Sequence, residues 1–509
     1  MILTVEGDIS AYYVQTLCLL FFPGSKFGVE EKPAPEKPEA HVRFFREGEA
    51  FCATADLLYQ GRAARAAAAI TRAEFPEGSD ERLAKIVVGR AVFAAGKELL
   101  GYTPPWGILT GVRPSKVASE LILTGNGILR SKRILRDEYF VNPKKAALAV
   151  SVAATELKIT KTLPLHDTCS VYISIPFCPS RCAYCSFVSG TSGRLLSLID
   201  DYLATLFLDM DNIFSIIRSL GLRVSTVYIG GGTPTVLTAD KLKALLSRVA
   251  KNVDTSSLAE FTLEAGRPDT ITAEKLAIAR AYGVSRVSVN PQTLSDELLV
   301  AIGRRHTVDD FYRAYEQART SGIRDINVDL IAGLPGDNFS NFSVSMDAVL
   351  SLAPSNITVH SFSLKNAADI RRQEGFALPL GGGDAAKSVE YSQLRTKNAG
   401  YRPYYMYRQK NTVGNLENVG YAAEGHEGLY NVLMMEELHS IFAVGAAAVT
   451  KLVHHCVPRA GTSKIQRIFT PKYPYEYLRD AEKIRKGDLP GGIPSLAEKI
   501  TGFYEKQQP

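Results

Sequence analysis

Between residues 170 and 364 the sequence repeats a strand-then-helix pattern six times, and this repetition limits the possible folds more than any other feature. Runs rich in β-branched and aromatic residues recur as SVYISIPF, STVYIGGGTP, EFTLEAGRP, RVSVNPQT, INVDLIAGLP and NITVHSFSL. Between them lie stretches such as ADKLKALLSRVAKN, AEKLAIARAYG and TVDDFYRAYEQARTSG, whose apolar residues recur at helical spacing. Strands joined through helices run parallel, so the expected class is α/β, with six β-α units forming a partial (β/α)6 TIM-like barrel. Sites in such barrels lie at the C-terminal ends of the strands. The conspicuous polar and glycine motifs of this chain all fall there.

The flanks read differently. Residues 1–165 are expected to form an N-terminal α+β accessory domain. It opens with a short strand at MILTVEG and an exposed Pro/Glu loop, EEKPAPEKPEAH. Two patches, GRAARAAAAITRAEF and ERLAKIVVGRAVFAAGKELLG, read as helix, and more helix follows the Gly/Pro-rich GYTPPWGILTGVRPSK. Residues 166–385 are the expected barrel. Residues 386–509 complete or cap it, with MMEELHSIFAVGAAAVTKL read as helix, strand and glycine turn.

The longest apolar runs, YVQTLCLLFF and IFAVGAAAV, fall short of the roughly 20 residues of a membrane helix. The first residues carry acids where a signal peptide carries Lys or Arg, so a cytoplasmic protein with no membrane span is expected. A net charge of +6 with no basic block argues against a nucleic-acid partner and is compatible with an anionic small molecule. Four of the seven cysteines (Cys18, Cys52, Cys169, Cys456) are scattered, which points to reduced thiols rather than a disulfide framework.

The other three, Cys178, Cys182 and Cys185, crowd into SIPFCPSRCAYCSF. Structural zinc wants four ligands, usually in paired knuckles, and no second knuckle exists. Three thiols cannot all pair as disulfides, and the Pro179–Ser180–Arg181 run suits no core. An iron–sulfur cluster remains; it normally takes four thiolates, so three leave one iron open and account for the absent fourth cysteine. YIGGGTPT follows the second β-run, where adjacent glycines let the backbone approach a ligand. Glu264 ends the third run, Gln292 the fourth, and Asp329 lies in the fifth, so the three converge on one rim. Arg304 follows in AIGRRHT.

The C-x3-C-x2-C spacing directly after a first strand is similar to the signature of the radical S-adenosylmethionine (SAM) superfamily. Together, VYISIPFCPSRCAYCSF, YIGGGTPT, RVSVNPQTLSDELLVAIGRRHT and INVDLIAGLPG resemble the oxygen-independent coproporphyrinogen III oxidases. ILTGVRPSK, VHSFSLK and YYMYRQKNTVGNLENVGY resemble one branch of them, the HemZ-type coproporphyrinogen dehydrogenases. The resemblance implies a 4Fe-4S cluster on Cys178, Cys182 and Cys185 whose open iron takes SAM. It implies SAM contacts at Tyr172, Tyr184, Gly231, Gly232, Thr233, Glu264, Gln292, Arg304 and Asp329.

The implied activity is oxidative decarboxylation of two propionates of coproporphyrinogen III to vinyls in porphyrin and haem biosynthesis. An external electron donor and acceptor are then partners, and no side chain is catalytic beyond the cluster and SAM. No base is needed at the transferred hydrogen, in keeping with a sequence that displays no His/carboxylate dyad. A tetra-anionic tetrapyrrole needs cations; Arg113, Lys116, Arg402 and Arg408 are candidates, each read first as a surface charge. The oxidases carry a further cysteine where Phe187 stands and a histidine where Ser174 stands. Haem chaperones share the cysteine's absence, so a haem-binding chaperone-like relative, or a radical SAM enzyme acting on haem itself, is the alternative implication.

Overall fold

The computed structural model describes residues 1–28, 36–75, 78–165, 167–185, 190–364, 381–454, 465–486 and 495–505. Ser186, Phe187, Lys365, Cys456 and the first part of the Pro/Glu loop lie outside them.

At the N-terminus β1 (Ile2–Glu6), β2 (Glu39–Glu47), β3 (Ala50–Tyr59) and β4 (Arg62–Thr71) make a four-stranded sheet in that order. β1 is parallel to β2 and the other pairs are antiparallel. Helices Ala11–Phe21 and Asp80–Leu100 cover it, with Leu17, Val42, Ala55, Val87 and Val88 in a shared core. The longer helix begins where the Ser79 side chain accepts from the Arg82 N–H and stops at left-handed Gly101.

One expectation fails here. GRAARAAAAITRAEF was read as helix, but Arg62–Thr71 is a strand paired residue for residue with β3, from Tyr59↔Arg62 to Ala50↔Thr71. Gln60 and Gly61 both take positive φ (49° and 73°), the two-residue turn that matches strand twist. Alanine's helix preference is at most about 0.7 kcal/mol per residue over ordinary residues. A full ladder of hydrogen bonds, with Ala64 and Ile70 buried on one face, outweighs it.

The six expected strands are β5 (Thr168–Ile175), β6 (Arg223–Gly231), β7 (Glu260–Glu264), β8 (Arg286–Ser288), β9 (Asp325–Ala332) and β10 (Asn356–Ser361). They lie side by side in sequence order and all run parallel. β11 (Arg402–Arg408) and β12 (Glu417–Ala422) continue the sheet beyond β10 as antiparallel strands. On the other flank β13 (Ile441–Val444) pairs parallel to β5, followed by antiparallel β14 (Val449–Val453) and β15 (Ile465–Phe469). The fold is α/β, and β11 and β15 are the edges of this eleven-stranded sheet, which among the described residues no further pairing closes. β5 is buried almost throughout, as a parallel strand covered on both faces must be. No described helix is long and apolar enough to cross a membrane.

The segment before β5 joins the core of the large sheet through Trp106 of a turn and through Ala118, Leu148 and Val152 of its helices. A buried carboxylate anchors this contact. Glu417 on β12 accepts from Lys145 Nζ at 2.6 Å, Trp106 Nε1 at 3.0 Å and Gln393 Nε2 at 2.9 Å. Lys145→Ala strands that charge and is expected to lower unfolding free energy in urea by about 3–5 kcal/mol. Lys158→Ala breaks only the exposed pair with Glu424 and is expected to cost no more than about 1 kcal/mol in the same titration.

Candidate active site

The parallel strands border a cavity of about 900 Å³. Pairing brings Ile175 level with Gly231, Glu264 with Ser288 and Ser288 with Asn327, so the strand ends meet at one rim. Alternate residues of a strand share a face. Tyr172 of β5, Tyr228 of β6, Thr262 and Glu264 of β7, and Asn327 and Asp329 of β9 therefore point into the same space. The twelve residues that the resemblance assigns to the cluster and SAM all line this cavity: Cys178, Cys182, Cys185, Tyr172, Tyr184, Gly231, Gly232, Thr233, Glu264, Gln292, Arg304 and Asp329.

The cysteine loop follows β5 and is held by two buried arginines. Arg267 donates to Ser180 Oγ at 2.8 Å and lies 3.5 Å from Cys182 Sγ. Arg304 donates to the carbonyls of Asn290 (2.6 Å) and Gly266 (3.1 Å) and to the Tyr184 hydroxyl (3.3 Å). Burial works against the Arg304 charge, but Tyr184 and Cys182 outweigh it and lift its pKa above the usual guanidinium value. Thr233 Oγ1 donates to Cys178 Sγ at 3.3 Å. Arg267 escaped the sequence reading; its signal was its place in EAGRP, directly after the third β-run.

Glycine is required beneath this loop. A Cβ on Gly232 would stand 2.5 Å from the Phe177 carbonyl oxygen, and Gly231 has φ of 104°. That closeness lets the Gly232 and Thr233 N–H groups donate to the Ile175 and Phe177 carbonyls at 2.8 and 2.7 Å. Gln292, a non-glycine residue at φ 73°, donates its N–H to the Asp329 carbonyl at 3.0 Å, and backbone held in this region is a mark of functional sites.

The two carboxylates are driven apart. Burial, then the charge of Asp329, pushes Glu264 up to about 8, against the opposing pull of Tyr228 and Arg304. Burial also raises Asp329, but hydrogen bonding and charge from His360, with help from Asn327 and Thr358, leave it below the ordinary value. His360 Nε2 lies 3.5 Å from Asp329 Oδ2, and Asn327 Nδ2 donates to Oδ1 at 2.7 Å. The sequence displays no His/carboxylate dyad, yet the structure makes one. Asp329 pairs with Thr358 across β9 and β10, and His360 lies two residues beyond on the same face. Tyr430, from helix Leu429–Glu436, was also missed; it stacks on Tyr228 at 4.7 Å, and Tyr228 on Tyr172 at 5.9 Å.

None of the four cations proposed from the sequence lines the cavity. Arg402 pairs with exposed Glu424 at 3.3 Å, Arg408 donates to the Leu109 carbonyl, and Arg113 and Lys116 face Glu437. Arg267, Arg286, Arg304, Lys451 and Arg467 line it instead. Ser174 donates to the Ala446 carbonyl at 2.7 Å, linking β5 to the turn after β13.

A profile of the Radical SAM superfamily matches residues 172–349. The oxygen-independent coproporphyrinogen-III oxidase-like protein HemZ of Bacillus subtilis (strain 168) is 38% identical over 383 residues, 74% of this chain and 75% of that protein. The chain belongs to this radical SAM family. The heme chaperone HemW of the same organism is 39% identical over 193 residues, 38% of this chain and 50% of the chaperone. Among solved structures, the radical SAM enzyme coproporphyrinogen III oxidase (HemN) of Escherichia coli superposes with a TM-score of 0.50 at 19% identity. It covers 65% of this chain and 72% of that one, a likeness of fold.

Radical SAM proteins bind a 4Fe-4S cluster and SAM. The residues of this radical SAM protein fit both. Among the described residues no three His, Cys, Asp or Glu groups cage a single metal ion, and all three thiols line the cavity. Hydrogen-bond donors and guanidinium charge beside sulfur suit a cluster's anionic ligands. Arg304 Nε is buried with no protein partner, a donor left over for a ligand.

Two outcomes follow. Gly232→Ala is expected to displace the cysteine loop, so that anaerobically reconstituted protein retains less than half the wild-type iron per chain in a colorimetric iron assay. Glu264 binds its proton more tightly when folded, near 8, than at its ordinary 4.5. The folded state therefore holds the extra proton across that window, and stability of cofactor-free protein falls as pH rises through it. In Glu264→Gln that fall is expected to be shallower by up to about 1.4 kcal/mol per pH unit, read from urea unfolding.

Proposed function

We propose that this chain is an oxygen-independent coproporphyrinogen III dehydrogenase. It converts two propionates of coproporphyrinogen III to vinyls, giving protoporphyrinogen IX in haem biosynthesis. For each propionate, a hydrogen atom leaves the carbon β to the carboxylate, CO2 departs, and one electron passes to an external acceptor. The observation that carries this reading is the cavity of about 900 Å³, whose lining includes the three cysteines and also Met434, Met435, Lys451 and Arg467. At about 900 Å³ it is at the upper end of the ~300–1,000 Å³ range of small-molecule sites, and larger than a nucleoside cofactor alone requires. The extended identity to a coproporphyrinogen-III oxidase-like protein supports the substrate.

Cys178, Cys182 and Cys185 would hold the cluster, and Glu264, Gln292, Arg304 and Asp329 would hold SAM with Tyr172, Tyr184 and the Gly231–Thr233 segment. Bound together, these groups supply one-electron cleavage of SAM and a carbon radical that abstracts hydrogen. The protein's share is positioning and shielding. Arg267 and Arg304 fix the loop that carries the thiols. Asp329, kept ionised by His360 and Asn327, offers a fixed negative charge to a cationic cofactor. Tyr228 and Tyr430, stacked at 4.7 Å, give the cavity an aromatic side on which a macrocycle would rest.

The test is anaerobic reconstitution with iron and sulfide, then addition of SAM, a low-potential reductant, an electron acceptor and coproporphyrinogen III. The expected outcome is 5'-deoxyadenosine together with a tetrapyrrole lighter by two CO2 units in mass spectrometry, both absent from Cys182→Ala. Deoxyadenosine with an unchanged tetrapyrrole would sink the substrate. The HemW similarity favours a second reading, haem binding without conversion. Stoichiometric haem uptake with no SAM cleavage would establish that one instead.

A further inference from the structure

The cavity lining carries an arrangement that the cluster and SAM do not use. Lys451 on β14 stands directly across from Arg467 on β15, and Val449 directly across from Phe469. With the strand period of two, all four side chains share the face that lines the cavity. Like charges set opposite one another on a sheet repel. An exposed Phe469 (69%) beside them is apolar surface turned toward the cavity rather than into the core.

The charge is only partly balanced. Glu437, nearly buried and left-handed at φ 53°, accepts from Arg113 at 2.7 Å and lies 3.3 Å from Arg467, 3.7 Å from Lys451 and 4.0 Å from Lys116. Four cations thus surround one carboxylate. The neighbouring acids do not restore balance, because Glu436 and Glu156 are both raised by burial, and each has a buried oxygen without a partner. Even with one of that pair ionised, positive charge remains in excess. Burial lowers the pKa of Lys451 against the pull of Glu437, and the charges of Arg113 and Arg467 add to the lowering.

Register places this group relative to the cysteines. Lys451 is level with Ile441, and Ile441 with Ser170 near the start of β5, whereas the cysteine loop follows the end of β5 at Ile175. At ~3.3 Å per residue the two lie roughly 16 Å apart along the strand. A tetrapyrrole with carboxylates round its edge can reach both ends.

We propose that Lys451 and Arg467 form an anion subsite that receives a carboxylate of the tetrapyrrole at the far end of the cavity, with the ring edge against Val449 and Phe469. The inference rests on the tetrapyrrole reading above. It makes the subsite a determinant of charge specificity: the subsite grips an acid group remote from the cysteines and so sets which propionates face them.

The test titrates cluster-reconstituted protein with coproporphyrin III, the stable oxidised form of the substrate, and with its tetra-amide, which keeps side-chain length and removes charge. Binding is followed by porphyrin fluorescence and folding by circular dichroism. Wild-type protein is expected to prefer the acid at least tenfold. Arg467→Gln and Lys451→Met are each expected to weaken acid binding roughly tenfold, the size of a charged hydrogen bond, and to leave amide binding unchanged. Arg467 is half exposed, so Arg467→Gln remains a folded test even if Lys451→Met disturbs Glu437. Unchanged acid affinity in Arg467→Gln, or equal binding of acid and amide by wild type, overturns the subsite and leaves the proposed function standing. Wild-type protein that binds neither porphyrin overturns both.

Discussion

A guanidinium enclosed by protein holds the site together. Arg304 donates through its two terminal nitrogens to carbonyls from the ends of two strand segments and to the hydroxyl of Tyr184 within the cysteine loop, which leaves Nε for a ligand. Hydrogen bonds to a charged group contribute roughly 1.5–3 kcal/mol each, and a buried charge without them is expensive. The loop is therefore tied to the sheet at the cost of one cation that has nowhere else to go. Arg267 repeats the tie from the next turn of chain, reaching Ser180 and Cys182. With Thr233 on Cys178 and the backbone bonds of Gly232 and Thr233, these two arginines turn three thiols on an irregular loop toward one cavity.

Parallel register does the rest of the positioning. Because β5 to β8 end near one level and Asn327 and Asp329 of β9 lie beside that level, one or two polar side chains per strand are enough to build a polar rim. The rim is electrostatically divided. Glu264 and Asp329 are close enough to feel each other, and the His360 and Asn327 donors settle which of them holds its proton. A site built to take a cofactor that is itself charged gains from one fixed anion and one group that can adjust.

Some of the cavity lining comes from parts of the chain remote from the barrel repeats. Tyr430, Met434 and Met435 arrive on one short helix, and Lys451 and Arg467 on the strands that extend the sheet past β13. These segments widen a cofactor cleft into a space with apolar walls and a cationic end. Arg113 and Lys116 come from the N-terminal third of the chain to back the same carboxylate, so that segment takes part in the charge balance of this lining.

Much of this was legible beforehand because it is written in local order. Alternating strand and helix periodicity sets the parallel sheet, and the spacing of Cys178, Cys182 and Cys185 is a statement about one loop. The short Gly231–Gly232 step is a local steric requirement. What the sequence could not show were contacts between segments that are distant in the chain. GRAARAAAAITRAEF has helical composition but lies in a hairpin, because pairing with β3 was decided by the turn at Gln60–Gly61 and by burial against a separate core. Arg408, read first as a surface charge, is a buried donor to the Leu109 carbonyl, whereas Lys451 and Arg467 drew no notice and line the cavity. The sequence by itself determined the fold class and the placing of three cysteines on one loop after the first parallel strand, since both rest on short-range spacing. Which charges face the cavity, and that His360 meets Asp329, was decided only by tertiary structure, because register across strands sets those distances.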